Sequence, residues 1–208
     1  MALSLSKRHH PHQDTSLLPG GKQTDNAGDN AMDYLSIIDK YYKKGALRDL
    51  LIEHSEAVTR RALAIAVAHP ELNIDARFVE EAAMLHDIGI ISCDAPGICC
   101  HGQEPYIRHG IIGARMMRAE GYPKHARVCE RHTGAGISRE EIIRQKLPLP
   151  LQSFLPETIE EQLICYADKF YSKSKPHRVK TVEQAEHSLM KFGNDGVERF
   201  RRWAAMFE

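Results

Sequence analysis

The chain has 208 residues, of which 42% are hydrophobic and 27% are charged. This length is enough to bury a hydrophobic core in one domain. Lysine plus arginine and aspartate plus glutamate each number 28, so the formal net charge is zero. Because coating a nucleic-acid polymer takes a surplus of cationic side chains, the balance of charge argues against that class of protein.

The same composition argues against a membrane or secreted protein. No stretch approaches the roughly 20 apolar residues that span a bilayer, and the first residues, MALSLSKRHHPHQ, lack the apolar core of a secretory signal. Five cysteines, an odd number, fit a reducing compartment better than a disulfide framework. We therefore expect a cytoplasmic protein without a membrane partner. Twelve histidines direct attention to metal binding.

Two regions differ in composition. Residues 1–30 are rich in Gly, Asp, Asn, Gln, Ser and Pro, which is typical of a flexible N-terminal tail. Residues 31–208 carry helical periodicity, and no run alternates for long enough to predict a convincing strand. The predicted fold class is therefore all-α, a compact helical bundle formed by residues 31–208.

The spacing of apolar residues and the capping residues predict where each helix begins and ends. Asp75 is a predicted N-cap, and two pairs, Ser138 with Glu141 and Thr158 with Glu161, have capping-box spacing. Residues 90–108 are predicted to form a loop. The predicted helices cover about 34–44, 47–68, 76–88, 109–120, 123–132, a short stretch after 138, 159–172, and 182–207 with an interruption at 193–196.

Five ionisable side chains fall on the apolar faces of five different predicted helices: His54, His86, His109, His132 and Asp168. Burying such groups is costly unless they are paired or bind a cation. Neutral imidazoles and carboxylates are the ligands that Zn, Fe and Mn ions take in proteins. The set therefore predicts a buried metal site.

Asp87 directly follows His86 near the predicted end of its helix. Neighbours on a helix point about 100° apart. At a helix end this divergence lets both side chains reach one metal ion, or lets the carboxylate bridge two ions.

The motif MLHDIG at residues 84–89 resembles the signature of the HD superfamily of metal-dependent phosphohydrolases. His54-Ser55 precedes it, and the blocks HGIIGA (109–114), HTGAGIS (132–138) and YADKF (166–170) follow it. The order H…HD…H…H…D resembles the subgroup with six metal ligands. The HTGAGIS block is most similar to an uncharacterised bacterial and archaeal branch. The resemblance covers about residues 47–175.

The resemblance implies an HD-type helical bundle with two divalent transition-metal ions per chain, such as Fe, Mn or Zn. It implies cleavage of a phosphate ester or anhydride, of a nucleotide, by a metal-activated hydroxide. The expected partner is thus a small phosphate-containing molecule. The implied ligands, with Asp87 bridging the ions, are His54, His86, Asp87 and Asp168 for the first ion and Asp87, His109 and His132 for the second.

The cysteine-rich loop offers an alternative ligand. His101 competes with His109 for the third ligand position, and we prefer His109 because the glycines that follow it allow close approach. A zinc site on Cys93, Cys99 and Cys100 is disfavoured because their spacing does not match a CxxC…CxxC pattern. This loop is predicted to form a lid or a pocket wall.

Basic residues provide candidates for substrate binding. Lys169, next to Asp168, is predicted to be catalytic and to contact substrate. Arg178 and Arg131 are predicted to bind substrate phosphates, with a surface ion pair as the alternative for Arg131. Three other lysines are predicted to lie in a solvated loop: Lys173, Lys175 and Lys180. Four further residues are predicted to lie at the surface: Glu53, His69, His125 and His187.

Two other functions are compatible with this ligand set. Some members of the HD superfamily are di-iron oxygenases, which differ from hydrolases in metal identity and in their need for O₂. A non-catalytic regulator that senses nucleotides would bind them without turnover.

Overall fold

The computed structural model describes residues 32–175 and 177–208, so the predicted N-terminal tail lies outside the described residues. The predicted all-α class is confirmed. A two-residue strand β1 (Asp94–Ala95) pairs antiparallel with β2 (Cys100–His101) inside the segment predicted to be a loop. The helices of the described residues are α1 Tyr34–Tyr41, α2 Ala46–Ala68, α3 Ala76–Leu85, α4 His109–Ala119, α5 Pro123–Arg131, α6 Arg139–Gln145, α7 Ile159–Asp168, α8 Val182–Met190 and α9 Asn194–Phe207.

Several helices begin where the sequence supplies a cap. The Asp75 carboxylate accepts a hydrogen bond from the backbone amide three residues later, at the start of α3. Ser138 with Glu141 and Thr158 with Glu161 each form both hydrogen bonds of a capping box, before α6 and α7. These side chains satisfy amides that have no partner within the helix, which confirms the predicted starts.

Helix α3 ends earlier than predicted, at Leu85, and a 3-10 turn from Ile88 to Ser92 follows it. The Tyr42 hydroxyl donates a hydrogen bond to the Ile88 carbonyl oxygen (2.6 Å) and accepts one from the Ile91 amide (3.1 Å). Tyr42 thus binds backbone groups of the 3-10 turn through contacts that are distant in sequence.

Helix α7 also ends earlier than predicted, at Asp168 instead of Ser172. The segment that follows folds back on the helix end. The backbone amide of Lys180 donates to the Phe170 carbonyl oxygen (2.9 Å), and its side-chain ammonium donates to the Lys169 carbonyl oxygen (3.1 Å). Asp168 is therefore left at the last turn of α7.

The buried core has two parts that meet at the ligand-bearing helices. One surrounds Tyr166 and Phe200 and includes residues of α2, α3, α7 and α9. The other surrounds Leu85 and Met117 and includes residues of α1, α4 and α5. Helix α3 packs against α2, α5 and α7, and α4 packs against α5; these five helices position the candidate site. In residues 32–175 and 177–208, no helix has both the length and the apolar character that crossing a membrane requires.

Candidate metal centre

The structure brings six predicted ligand side chains together in one buried cluster. Their ligand atoms form two sets, and within each set the atoms lie within 4.8 Å of one another. None of the six residues is more than 9% exposed. The first set is His54, His86, Asp87 and Asp168, and the second is Asp87, His109 and His132.

Five residues of the cluster lie within a helix or at a helix end. His54 lies within α2, and Asp168 is the last residue of α7. His86 and His132 directly follow the last residues of α3 and α5, and His109 is the first residue of α4. Four of these five positions are therefore at helix ends, where a side chain can turn toward a neighbouring helix.

Backbone carbonyl groups orient three of the imidazole rings. In His86, His109 and His132, Nδ1 lies 2.6, 2.6 and 2.8 Å from the carbonyl oxygen of the residue three positions earlier. A ring that donates a hydrogen bond from Nδ1 presents the lone pair of Nε2 to a metal. The backbone thus selects the tautomer and directs Nε2 into the cluster.

The two carboxylate oxygens of Asp87 face different sets of imidazoles. Oδ2 lies 3.2 Å from Nε2 of His54 and 3.1 Å from Nε2 of His86. Oδ1 lies 3.4 Å from Nε2 of His109 and 3.3 Å from Nε2 of His132. This division is the arrangement that a carboxylate bridging two cations requires.

The buried polar atoms fit a metal centre. His86 Nε2 and Oδ1 of Asp87 are buried without a hydrogen-bond partner, which is costly in a protein interior. Nε2 of His109 and Nε2 of His132 lie only 3.0 Å apart. A cation coordinated by these atoms would satisfy all of them, and nitrogen and carboxylate oxygen are donors suited to Zn, Fe or Mn.

The protonation states of the second ligand set favour ligation as well. Burial lowers the pKa of His109 to about 3 and also lowers the pKa of His132, so both rings are neutral near pH 7. Burial alone would raise the pKa of Asp87, but the charges of Lys173 and His86 hold it well below its usual range. Neutral imidazoles and an ionised carboxylate are the forms that bind metal ions.

A family model described as HD domain matches residues 51–172, which is more than half of the chain. The chain belongs to the HD-domain family. The matched segment runs from before His54 to beyond Asp168, so it contains all six side chains of the cluster. The resemblance read from the sequence motifs is thereby confirmed.

The chain is also similar to three proteins of archaea. Two are named tRNA (cytidine(56)-2'-O)-methyltransferase: that of Thermoplasma volcanium is 35% identical over 79% of this chain and 44% of its own length, and that of Picrophilus torridus is 38% identical over 61% and 33%. An uncharacterised protein of Methanocaldococcus jannaschii is 36% identical over 64% of this chain and 72% of its own length. The chain thus spans less than half the length of the two methyltransferases. No solved structure matches the chain significantly.

Two lysines contact the aspartate carboxylates of the buried ligand cluster. Lys169 Nζ lies 2.7 Å from Oδ2 of Asp168 and donates to the His132 carbonyl oxygen at 3.2 Å. Lys173 Nζ forms an ion pair with Oδ2 of Asp87, and the Lys173 side chain is only 11% exposed. The prediction that Lys173 lies in a solvated loop is therefore wrong. Its sequence context, a run of basic residues beyond a helix end, carries no signal of burial.

Arg131 and Arg178 do not reach the ligand cluster in the way Lys169 does. The Arg131 guanidinium donates to the Leu155 carbonyl oxygen at 2.6 Å and pairs with Glu157 at 2.6 Å, so the structure favours the ion-pair alternative. Arg178 is exposed and lines a neighbouring pocket, where substrate contact stays a prediction.

The cysteine-rich loop contributes no ligand to either set. His101 is exposed on β2 and belongs to neither set, which favours His109 as the third ligand. The five cysteines, all within the described residues, are free thiols. The loop lines the pocket described next, as the pocket-wall prediction required.

A pocket of about 600 Å³ opens onto the cluster. His109, His132 and Asp168 line it from the side of the ligands, and Ile98 and Tyr106 line it from the loop. The Tyr106 ring stacks on the His109 imidazole with centroids 4.7 Å apart. The basic residues of the pocket wall are Lys169, Lys173, Lys180 and Lys191.

Arg199 holds the turn that follows His132. Its Nε donates to the Ala135 carbonyl oxygen at 2.7 Å, and its Nη2 donates to the Gly136 carbonyl oxygen at 2.9 Å. Nη2 also lies 2.9 Å from a carboxylate oxygen of Glu141, which is itself buried. One forked cation thus connects α9 to the turn and to the start of α6.

We expect Arg199→Lys to lower the free energy of unfolding by about 2 kcal/mol, because a single ammonium cannot reproduce these forked contacts to buried acceptors. Urea unfolding followed by circular dichroism measures the change. Arg202→Lys, an exposed substitution on the same helix, is the matched control and should change stability by less than about 0.5 kcal/mol. Equal stabilities of the two variants would contradict this role for Arg199.

Proposed function

We propose that this HD-domain chain is a metal-dependent phosphohydrolase that cleaves a phosphate ester or anhydride of a nucleotide. One observation supports this most: two ligand sets that share Asp87 adjoin a pocket whose basic wall consists of lysines. In this proposal, His54, His86, Asp87 and Asp168 would hold the first ion, and Asp87, His109 and His132 would hold the second, so that Asp87 would serve both.

In this proposal, the ligand cluster holds the metal ions and other residues of the pocket bind phosphate. Two cations held there would supply Lewis-acid chemistry: they would polarise a phosphoryl group and lower the pKa of a water. Lys169 lines the pocket and lies beside Asp168, where its ammonium can contact a phosphate oxygen and neutralise charge that develops there during hydrolysis. Tyr106, stacked on His109, covers that imidazole on the pocket side and limits access of water to it.

Two of the relatives have names that mention tRNA, which brings RNA into consideration as a partner. The alignment with the Thermoplasma protein covers 79% of this chain and therefore runs through most of the HD-matched residues. We infer that the shared segment is of HD type, and that methyl transfer belongs to the larger, unshared part of those proteins. A nucleotide is the proposed substrate here because the balanced net charge provides no surplus for a polymer.

Metal analysis combined with a substrate panel tests the proposal. Freshly purified protein should contain about two transition-metal ions per chain. Turnover of a panel of mononucleotides, dinucleoside polyphosphates and cyclic nucleotides should stop on chelation and return with Mn²⁺, at equal rates under air and under argon. Turnover that requires O₂ would instead identify an oxygenase, and nucleotide binding without turnover would identify a regulator. Either result would overturn the hydrolase proposal.

A further inference from the structure

The pocket has an inner and an outer part of different origin. The inner part is formed by the ligand cluster and its neighbours, which lie within the family match at residues 51–172 except for Lys173 and Ser174. The outer part comes from residues after that match, in α8 and its flanking segments: Lys180, Ser188, Leu189, Lys191 and Phe192. Because the family match does not include the outer part, it is where this chain can set its own substrate preference.

The outer part carries cationic charge that the pocket does not neutralise. Lys180 Nζ donates to the carbonyl oxygen of Lys169, next to the ligand Asp168. Burial lowers the pKa of Lys180, and the positive charge of Lys169 lowers it further, an effect that the Asp168 carboxylate offsets only in part. Lys169, Lys180 and Lys191 line the same pocket, so their positive charges repel one another. Among the described residues that line this pocket, Asp168 is the one carboxylate. An anion bound here would relieve the repulsion.

The outer part also presents an exposed aromatic ring. Phe192 is 49% exposed although it lines the pocket, and Lys191 Nζ lies 4.7 Å from its ring centroid. The Phe192 carbonyl oxygen accepts a hydrogen bond from Gln145 Nε2 at 2.9 Å, which ties its backbone to α6. An exposed ring on an anchored backbone, beside a cation, is a platform on which a nucleobase can stack.

We propose that Lys180, Lys191 and Phe192 form a distal subsite that binds a non-scissile phosphate and the base of a nucleoside di- or triphosphate. The inference rests on the proposed function, since it specifies the substrate of the same pocket. The volume of about 600 Å³ lies within the range of small-molecule sites, which favours a mononucleotide with several phosphates over a polymer.

Equilibrium binding tests the phosphate part of the subsite. Calorimetric titrations would compare nucleoside monophosphates with non-hydrolysable di- and triphosphate analogues of adenosine and guanosine. We expect the triphosphate to bind about tenfold or more tightly than the monophosphate. Lys191→Gln should remove most of that difference and leave monophosphate binding unchanged. Lys124→Gln, an exposed lysine on α5 that lines neither pocket, is the matched control and should change nothing.

A second pair of variants tests the base platform. Phe192→Leu should weaken every nucleotide by about tenfold and leave binding of inorganic tripolyphosphate unchanged. Phe192→Tyr should restore nucleotide binding, because it keeps the aromatic face. Equal losses for nucleotide and tripolyphosphate would show that Phe192 acts on the fold of the pocket, and would overturn its assignment as a platform.

The remaining outcomes separate this inference from the hydrolase proposal. Hydrolysis with no preference for additional phosphates, or tighter binding of an RNA oligonucleotide than of any mononucleotide, would overturn the distal subsite alone. Graded binding that depends on Lys191, without hydrolysis of any nucleotide, would support the subsite and overturn the hydrolase proposal.

Discussion

Replacing Asp87 with asparagine is expected to reduce hydrolysis about a thousandfold and to lower the metal content from about two ions per chain to one or fewer. The two carboxylate oxygens of Asp87 face different imidazole pairs, Oδ2 toward His54 and His86, and Oδ1 toward His109 and His132. Asparagine has nearly the same size, but it supplies one neutral carbonyl oxygen and an amide that cannot ligate a cation. The substitution therefore removes the shared ligand with little change in packing.

Elemental analysis of the purified variant and steady-state kinetics measure both effects. Asp49→Asn is the matched control, because Asp49 lies on α2 with a side chain that is 73% exposed. The control should retain full metal content and turnover. Two ions per chain in Asp87→Asn, or turnover within tenfold of the unsubstituted protein, would show that Asp87 does not bridge the ions.

The side chains of the cluster could be predicted because helical periodicity reports which face of a helix is buried. His54 and Asp168 lie among apolar residues at helical spacing, and the structure buries both. The dipeptide His86-Asp87 adds the motif that links the chain to the HD family. Periodicity and motif together thus predicted a buried cluster that helices distant in sequence bring together.

Residues outside that pattern could not be predicted, because their surroundings are set by contacts that are distant in sequence. Lys173 is buried against Asp87 by a segment that folds back after α7. His125, predicted to lie at the surface, is only 7% exposed and packs against the rings of Phe78 and Tyr122. The β1–β2 hairpin has two-residue strands, which are too short to show alternation.

Gly89 illustrates a residue whose physical role depends on contacts distant in sequence. It directly follows the helix predicted over about 76–88, but α3 ends at Leu85. A Cβ atom on Gly89 would lie 2.1 Å from the His109 carbonyl oxygen and 2.4 Å from the Gly113 amide nitrogen. Glycine is therefore required because the backbone of α4 passes directly against this position.

We expect Gly89→Ala to lower the free energy of unfolding by about 3 kcal/mol and to reduce metal binding by the second ligand set. The clashing atoms belong to the backbone of α4, which cannot rotate away as a side chain can. Relief of the clash must move α4 away from the 3-10 turn that carries Gly89. Because His109 is the first residue of α4, its Nε2 would move away from Oδ1 of Asp87, which now lies 3.4 Å away.

Gly97→Ala is the matched control for this experiment, because a Cβ atom at Gly97 would meet nothing within 4 Å. Gly97 lines the pocket wall, so both variants add one methyl group near the candidate site. Urea unfolding and elemental analysis should show a large loss of stability and of metal for Gly89→Ala, and changes below about 0.5 kcal/mol for Gly97→Ala. Equal unfolding midpoints would mean that α4 can shift without cost, and the close approach at Gly89 would then not position His109.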